Sequence, residues 1–218
     1  MKSVVLISGG IDSFVAAAIE KKAGSEIYAM SVFYGQVHRK ELECAKRIGE
    51  FLAVRNHKFL DVDLSWLPSS LVDADFKMQP STSDIPATYV PARNIIFLSL
   101  ALAYAESLDA DNIVIGVHSV DYSGYPDCRP EFIKAFQTVI DSGIKKTAEG
   151  GKIILKAPLL TLKKSEIIKI GHQHGLDFSL TWSCYKGAEK ACGVCDSCRI
   201  RLAAFSEAGL KDPIEYEK

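Results

Sequence analysis

The sequence predicts an α/β protein: a single doubly wound domain over residues 1–218 with a mostly parallel sheet, plus a small C-terminal metal-binding lobe at 180–200. Three observations predict it. Short β-branched runs alternate with stretches of helical periodicity, the order that places parallel strands centrally with helices on both faces. The first run leads straight into Ser-Gly-Gly and a helical stretch. Four cysteines crowd into residues 184–198.

The elements follow in order. Residues 3–7 (Ser-Val-Val-Leu-Ile) read as a buried strand, and 12–22 as a helix. Residues 27–33 form a second strand. Leu42, Ala45, Ile48, Phe51 and Leu52 then recur at helical spacing. Residues 57–62 are the third strand. A polar stretch with Pro68, Pro80 and Pro86 runs on to Thr88, too long for a plain connection, which marks a functional or mobile loop. Pro91 sits where a helix opens, and the apolar run 95–105 continues it. Residues 112–117 are a strand, 130–140 a helix, 153–155 a strand and 163–174 a helix. In such a sheet ligands bind beyond the carboxyl ends of the strands. The loops 8–13, 33–38 and 117–129 should therefore cluster.

Composition narrows the class. An apolar share of 48% with 24% charged residues fits a globular protein with a full core. A net charge of −1 advertises no nucleic-acid partner. No run of eighteen apolar residues is present to span a membrane. The opening segment, one Lys and a short apolar run ending in Ser-Gly-Gly, is unlike a signal peptide. Crowded cysteines in a chain without an export signal read as a metal site before they read as disulfides. The expected location is the cytoplasm.

The loop Ser8-Gly9-Gly10-Ile11-Asp12-Ser13 has the makings of a phosphate cradle. Glycines let successive N–H groups face one point, and a helix N-terminus adds donors and positive potential. Asp12 would repel a bare phosphate, so its role is to hold Mg²⁺ or to fix the loop. No Gly-Lys-Ser/Thr follows, so this is not a Walker A loop. The stretch resembles the PP-loop of enzymes that cleave ATP between the α and β phosphates. The plain alternative is a capped strand-to-helix turn.

Cys184, Cys192, Cys195 and Cys198 have the spacing C-x7-C-x2-C-x2-C. Four thiolates close a tetrahedral Zn²⁺ site with no place for water, which makes such a site structural. An Fe–S cluster and a redox dithiol are the other readings.

In the middle loops, Tyr125 offers a stacking face, Asp127 an acceptor and Arg129 a fork for a carboxylate. The bland reading of residues 123–130 is a Gly-Pro turn with a capping Asp. Val90-Pro91-Ala92-Arg93-Asn94 sets an Arg and an Asn at a helix start. Tyr34-Gly35-Gln36-Val37-His38 ends the second strand, with Glu41 one turn on. His38 is a general base or a loop hydrogen-bonder. Lys164 reaches phosphate or is solvated. Cys128 is a nucleophile or a packing residue, and Cys44 a packing residue.

Taken together, these motifs resemble the 7-cyano-7-deazaguanine synthase family. The matching pieces are residues 8–13, Tyr34-Gly35-Gln36-x-His38, Val90-Pro91-x-Arg93-Asn94, residues 123–129, Cys184-Tyr185-x-Gly187 and the final Cys-x2-Cys-x2-Cys. They run in the family's order along nearly the whole chain. The resemblance implies a PP-loop, adenine-nucleotide-hydrolase-like fold and an ATP-dependent ligase of queuosine precursor biosynthesis. It acts on 7-carboxy-7-deazaguanine with ammonia. Ser8, Gly9, Gly10, Ile11, Asp12, Ser13, Phe14, Tyr34 and Gln36 would hold ATP, with Mg²⁺. His38, Arg93, Asn94, Tyr125, Asp127 and Arg129 would hold the base. Asp12, Ser13, Arg93, Asp127, Arg129 and Lys164 would carry the chemistry. One Zn²⁺ per chain and a homodimer are implied as well. The rival functions are a PP-loop tRNA thiolase, with Cys128 as nucleophile, and a non-enzymatic zinc-ribbon interaction module.

Overall fold

The structure, a computed structural model, describes residues 1–73, 75–76, 85–118 and 124–217. Five strands lie in the order β3-β2-β1-β4-β5: β1 (Lys2–Leu6), β2 (Glu26–Phe33), β3 (Asn56–Asp61), β4 (Asn112–Val114) and β5 (Ile154–Lys156). Every pairing is parallel. The longer helices are α1 (Ile11–Lys22), α2 (Lys40–Phe51), α3 (Arg93–Ser107) and α4 (Pro130–Gly143); a single turn, α5 (Lys145–Ala148), precedes α6 (Lys164–Gln173) and α7 (Asp196–Ala208). Strand order reverses between β1 and β4, so a crevice opens there, beyond their carboxyl ends.

The central strands β1, β2 and β4 are buried on both faces, since neighbouring residues of a strand point to opposite sides and helices cover each side. Val4, Met30 and Ile113 pack with Leu98 of α3 and with Phe136 and Ile140 of α4. Val5, Ala29 and Val114 pack with Phe14 and Val15 of α1, Ile48 of α2, Ile167 of α6 and Phe205 of α7. Burying each such apolar side chain contributes about 1.5–3 kcal/mol. A third, smaller cluster joins Cys44 of α2 to Trp182, Cys184, Cys192 and Cys198. Cys44 is indeed a packing residue, fully buried.

Three local differences from the expected elements have physical causes. The strand expected over 112–117 ends as a ladder at Val114. Ile115 still donates to the Lys156 carbonyl at 3.0 Å, and the chain then turns away at Gly116. A Cβ at Gly116 would stand 2.8 Å from the Ser13 nitrogen, so only glycine lets the end of β4 approach the first turn of α1. Helix α3 opens at Arg93, two residues after Pro91, because Ala92 adopts a left-handed conformation with φ 56°. The last helix, α7, was not expected, since its apolar residues are interrupted by Cys198, Arg199 and Arg201. Of the long polar stretch, Pro80 and residues 81–84 lie outside the described residues, as does Ser123 of the middle loop.

Candidate active site

A cavity of about 400 Å³ occupies the crevice, lined by residues from all three loops expected to cluster. A larger open depression of about 730 Å³ lies between α4 and β5, and none of these loops reaches it.

Its floor is the loop after β1. Gly9 has φ 91°, and its missing Cβ would fall 2.1 Å from the Glu41 carbonyl oxygen, so the loop passes tightly beneath α2. Ser13 Oγ accepts from the Ser8 N–H at 3.1 Å, donates to the Gly10 carbonyl at 3.1 Å and lies 3.1 Å from Ser8 Oγ. These bonds hold the loop closed on itself. No side chain caps α1 at Gly10. The first-turn residues Ile11, Asp12 and Ser13 line the cavity, which suits an anion. Phe14 does not line it: its ring is in the core, edge-on to Phe51 at 5.5 Å.

Three ionisable groups meet at the cradle. Asp12 Oδ2 pairs with Lys164 Nζ, and His118 Nε2 lies 3.6 Å from the same oxygen. Asp12 Oδ1 is buried without a hydrogen-bond partner among the described residues. An orphaned carboxylate oxygen beside a phosphate cradle is a natural seat for a cation. Lys164 is therefore no solvated lysine.

The opposite wall is aromatic and cationic. Tyr34, buried, accepts from Arg93 Nη1 at 3.3 Å and packs on Phe97. Gln36 Oε1 accepts from the Tyr34 N–H at 2.7 Å, leaving its amide nitrogen to donate to Glu41. Tyr125 shares a 2.6 Å hydroxyl bond with Thr88 and lies near Tyr89. Burial raises the phenol pKa of Tyr34 and of Tyr185, so both stay neutral donors. Burial likewise lowers the pKa of His38, whose Nδ1 has no hydrogen-bond partner among the described residues. Gly187, at φ 60°, gives His38 its space: a Cβ there would lie 2.2 Å from His38 Cγ.

One expected site residue, Asp127, stands behind this wall, held there by Asn94 of the cavity lining. Asp127 is buried, and its Oδ2 accepts from the Asn94 N–H at 3.0 Å. Asn94 Nδ2 in turn donates to the Asp127 carbonyl at 3.2 Å and to Cys128 Sγ at 3.1 Å. The pair fastens the middle loop to α3. Arg129 is exposed at the start of α4 and is not among the cavity's lining residues, whereas Arg93 is.

The four cysteines converge. All four sulfurs lie within 4.8 Å of one another. Cys192 and Cys198 Sγ are 4.0 Å apart, close to the ~3.8 Å edge of a tetrahedron with ~2.3 Å metal–sulfur bonds. Backbone N–H groups of Val194 and Cys195 pull the Cys192 thiol down to about 6, toward the thiolate a metal needs. This lobe is bolted to the cradle. The Trp182 N–H donates to the Gly9 carbonyl at 3.0 Å. Lys40 Nζ sits 3.7 Å from the Trp182 ring centre and bonds the Ala188 and Glu189 carbonyls. Arg201 of α7, buried, grips Asp212 through two bonds at 2.7 and 2.9 Å and donates to Thr181 at 2.9 Å.

Sequence reasoning singled out neither Gly116, His118, Trp182 nor Arg201. It named Glu41 only by its place one turn after His38. Tyr185 entered only within a motif. The missed signal was positional: Gly116 and His118 close the strand that lies across the switch point from β1.

A glycine–serine loop that opens a helix at the switch point of a parallel sheet defines a doubly wound α/β protein. Solved structures share the fold. NMN synthetase from Francisella tularensis matches with a TM-score of 0.54 at 17% identity, over 96% of this chain and 77% of that one. A predicted subunit of tRNA methyltransferase from Methanocaldococcus jannaschii matches at 0.53 and 17%, over 100% and 93%. The chain belongs to the QueC family: the family model described as "Queuosine biosynthesis protein QueC" matches residues 2–209. A Desulfitobacterium hafniense relative, "7-cyano-7-deazaguanine synthase 2", is 51% identical over 99% of this chain and 93% of its own. The Nostoc punctiforme 7-cyano-7-deazaguanine synthase is 50% identical over 99% of this chain and 100% of its own.

Proposed function

We propose that this protein is an ATP-dependent carbon–nitrogen ligase that converts 7-carboxy-7-deazaguanine and ammonia into 7-cyano-7-deazaguanine. The observation that carries the reading is the shared cavity: the cradle and the aromatic, Arg93-bearing wall open onto one space, in a chain half identical to relatives of that name.

The cradle receives the ATP phosphates, and Ser8, Ser13 and the first-turn amides of α1 offset charge that builds on the departing pyrophosphate. Lys164 adds a cation. Asp12, with its orphaned oxygen, is the residue that would hold Mg²⁺, which supplies charge neutralisation on the phosphates. Tyr34, Tyr125 and Tyr185 offer stacking faces to a planar base, and Arg93 a planar fork to its carboxylate. The substrate carboxylate attacks the α-phosphorus to give an acyl-adenylate and pyrophosphate. Ammonia displaces AMP to give the amide. A second ATP activates the amide oxygen, which leaves with AMP as the nitrile forms.

The cysteine lobe is read as a structural Zn²⁺ site held by Cys184, Cys192, Cys195 and Cys198. Sulfurs this close suit one ion, since a cluster of several irons holds its thiolates further apart. The same reading treats the chain as one unit with its lobe, places it in the cytoplasm and makes it a homodimer. It includes no membrane, and no helix among the described residues is long and apolar enough to cross one. It includes no nucleic-acid partner, which the near-zero net charge supports.

The test is product analysis. ATP, ammonium and the carboxylate base are incubated with the protein, and a product with the nitrile mass is expected alongside AMP and pyrophosphate. AMP formation without any nitrogen incorporated into the base would defeat the assignment.

A further inference from the structure

Forming an amide from an acyl-adenylate and ammonia releases one proton, and a base at the cavity wall speeds the step by taking it. Resting on the proposed function, the groups able to do so are the carboxylates and imidazoles that line the cavity. Among the described residues these are Asp12, Glu41, His38 and His118. Asp12 is committed to Lys164, and His118 lies buried against Asp12. His38 packs on Gly187 and bonds the Cys184 backbone. Glu41 is left.

We propose that Glu41 is the general base of the ammonia step. It sits in the first turn of α2, lines the cavity, and touches the cradle through its own carbonyl, against which Gly9 packs. Gln36 donates to its carboxylate, and Gln36 is itself held by the Tyr34 N–H. Ammonia attacks the acyl carbon. Glu41 takes a proton from the resulting C–NH3⁺ nitrogen, the C–O bond to AMP breaks with its electron pair leaving on AMP, and the amide remains. The proton ends on the Glu41 carboxyl and passes to solvent at product release.

The surroundings tune the group to this work. Burial pushes the Glu41 pKa up to about 7, against the opposing pull of Arg93 and Gln36. The groups facing it are Tyr34 and Gln36 from the loop after β2, Arg93 from α3, Tyr185 from the cysteine lobe and Cys44 on its own helix. Among the described residues Arg93 is the cation acting on it, and the tyrosines stay neutral. A base poised near neutrality combines a large deprotonated fraction with a real affinity for the proton.

The experiment compares two readouts in wild type, Glu41→Gln and Glu41→Asp: carboxylate-dependent ATP–pyrophosphate exchange, and nitrile formation against pH. Glu41→Gln is expected to keep exchange within about threefold while nitrile formation falls ~100-fold or more. Glu41→Asp should recover part of it. The acidic limb near pH 7 in wild-type kcat/KM for ammonia should vanish in Glu41→Gln. An intact limb in that variant, or equal loss of exchange and product, overturns the assignment. If wild type shows exchange but never forms a nitrile, the functional reading fails first and takes this one with it.

Discussion

Lys164 Nζ pairs with Asp12 Oδ2 across 152 residues of sequence, while Asp12 Oδ1 stays buried with no partner among the described residues. Helix α6 thus delivers a cation to the first turn of α1, and the second carboxylate oxygen remains available to a metal. Asp12→Asn keeps the shape but loses the charge, and a drop of ~100-fold in Mg²⁺-dependent ATP–pyrophosphate exchange is expected. Ser13→Ala should also lower exchange, because Ser13 Oγ closes the loop between Ser8 and Gly10. Circular dichroism should be near wild type for both. Full exchange in purified Asp12→Asn would show that the cradle does not work this way.

The bond from Trp182 to Gly9 links the cysteine lobe to the cradle, so removal of the proposed metal should be felt at both. Elemental analysis is expected to find about one zinc per chain and no visible-range absorption. Cys198→Ser should forfeit about 3 kcal/mol or more of metal-linked stability and lower Tm by roughly 6–12 °C. ATP–pyrophosphate exchange should fall with it, as Trp182 loosens against Lys40. A brown protein containing iron would replace zinc with an Fe–S reading.

Much of this was legible in the sequence for identifiable reasons. The cradle was readable because its glycines and serines are contiguous and sit between a buried strand and a helix. The cysteine lobe was readable because its ligands fall at short, regular spacings. The wall was harder. Arg93 and Arg129 look equivalent in a one-dimensional string, and only the left-handed turn at Ala92 turns one inward while the start of α4 leaves the other exposed. Phe14 follows the cradle in sequence, but one helical step rotates it into the core. Asp127 looked like a substrate acceptor, yet the Asn94 amide occupies it. His118 and Lys164 gain meaning only when β4 and α6 are brought to Asp12.

The raised pKa of Glu41 also bears on stability. A folded-state value near 7 against an ordinary 4.5 means that the native protein binds more protons than the unfolded chain between those values. Stability from this group is therefore present at low pH and lost as pH rises from about 4.5 through 7. The loss is on the order of 1–3 kcal/mol by pH 8. Glu41→Gln mimics the neutral form and should unfold at a higher temperature than wild type at pH 8, with the gap closing toward pH 5. Equal melting temperatures at both pH values would show that the carboxylate is not strained by burial.

The last prediction separates ligase from thiolase, and it turns on Cys128, Arg93 and Arg129. In a thiolase the Cys128 sulfur would be the nucleophile, and Cys128→Ser would abolish turnover. In the nitrile synthase ammonia is the nucleophile and ATP the activator, so no step requires a protein thiolate. Cys128 lines the cavity but is only 3% exposed, and its sulfur accepts from Asn94 Nδ2. Cys128→Ala should leave nitrile formation measurable, with KM for the base raised a few-fold. The guanidiniums then report where the carboxylate sits. Arg93→Lys keeps the charge but loses the planar fork and its bond to Tyr34, and kcat/KM for the carboxylate base should fall ~10–100-fold. Arg129→Lys, at an exposed position outside the cavity lining, should change it by less than about threefold. A dead Cys128→Ala beside an unaffected Arg93→Lys would reverse these roles and make sulfur transfer the better account of the cavity.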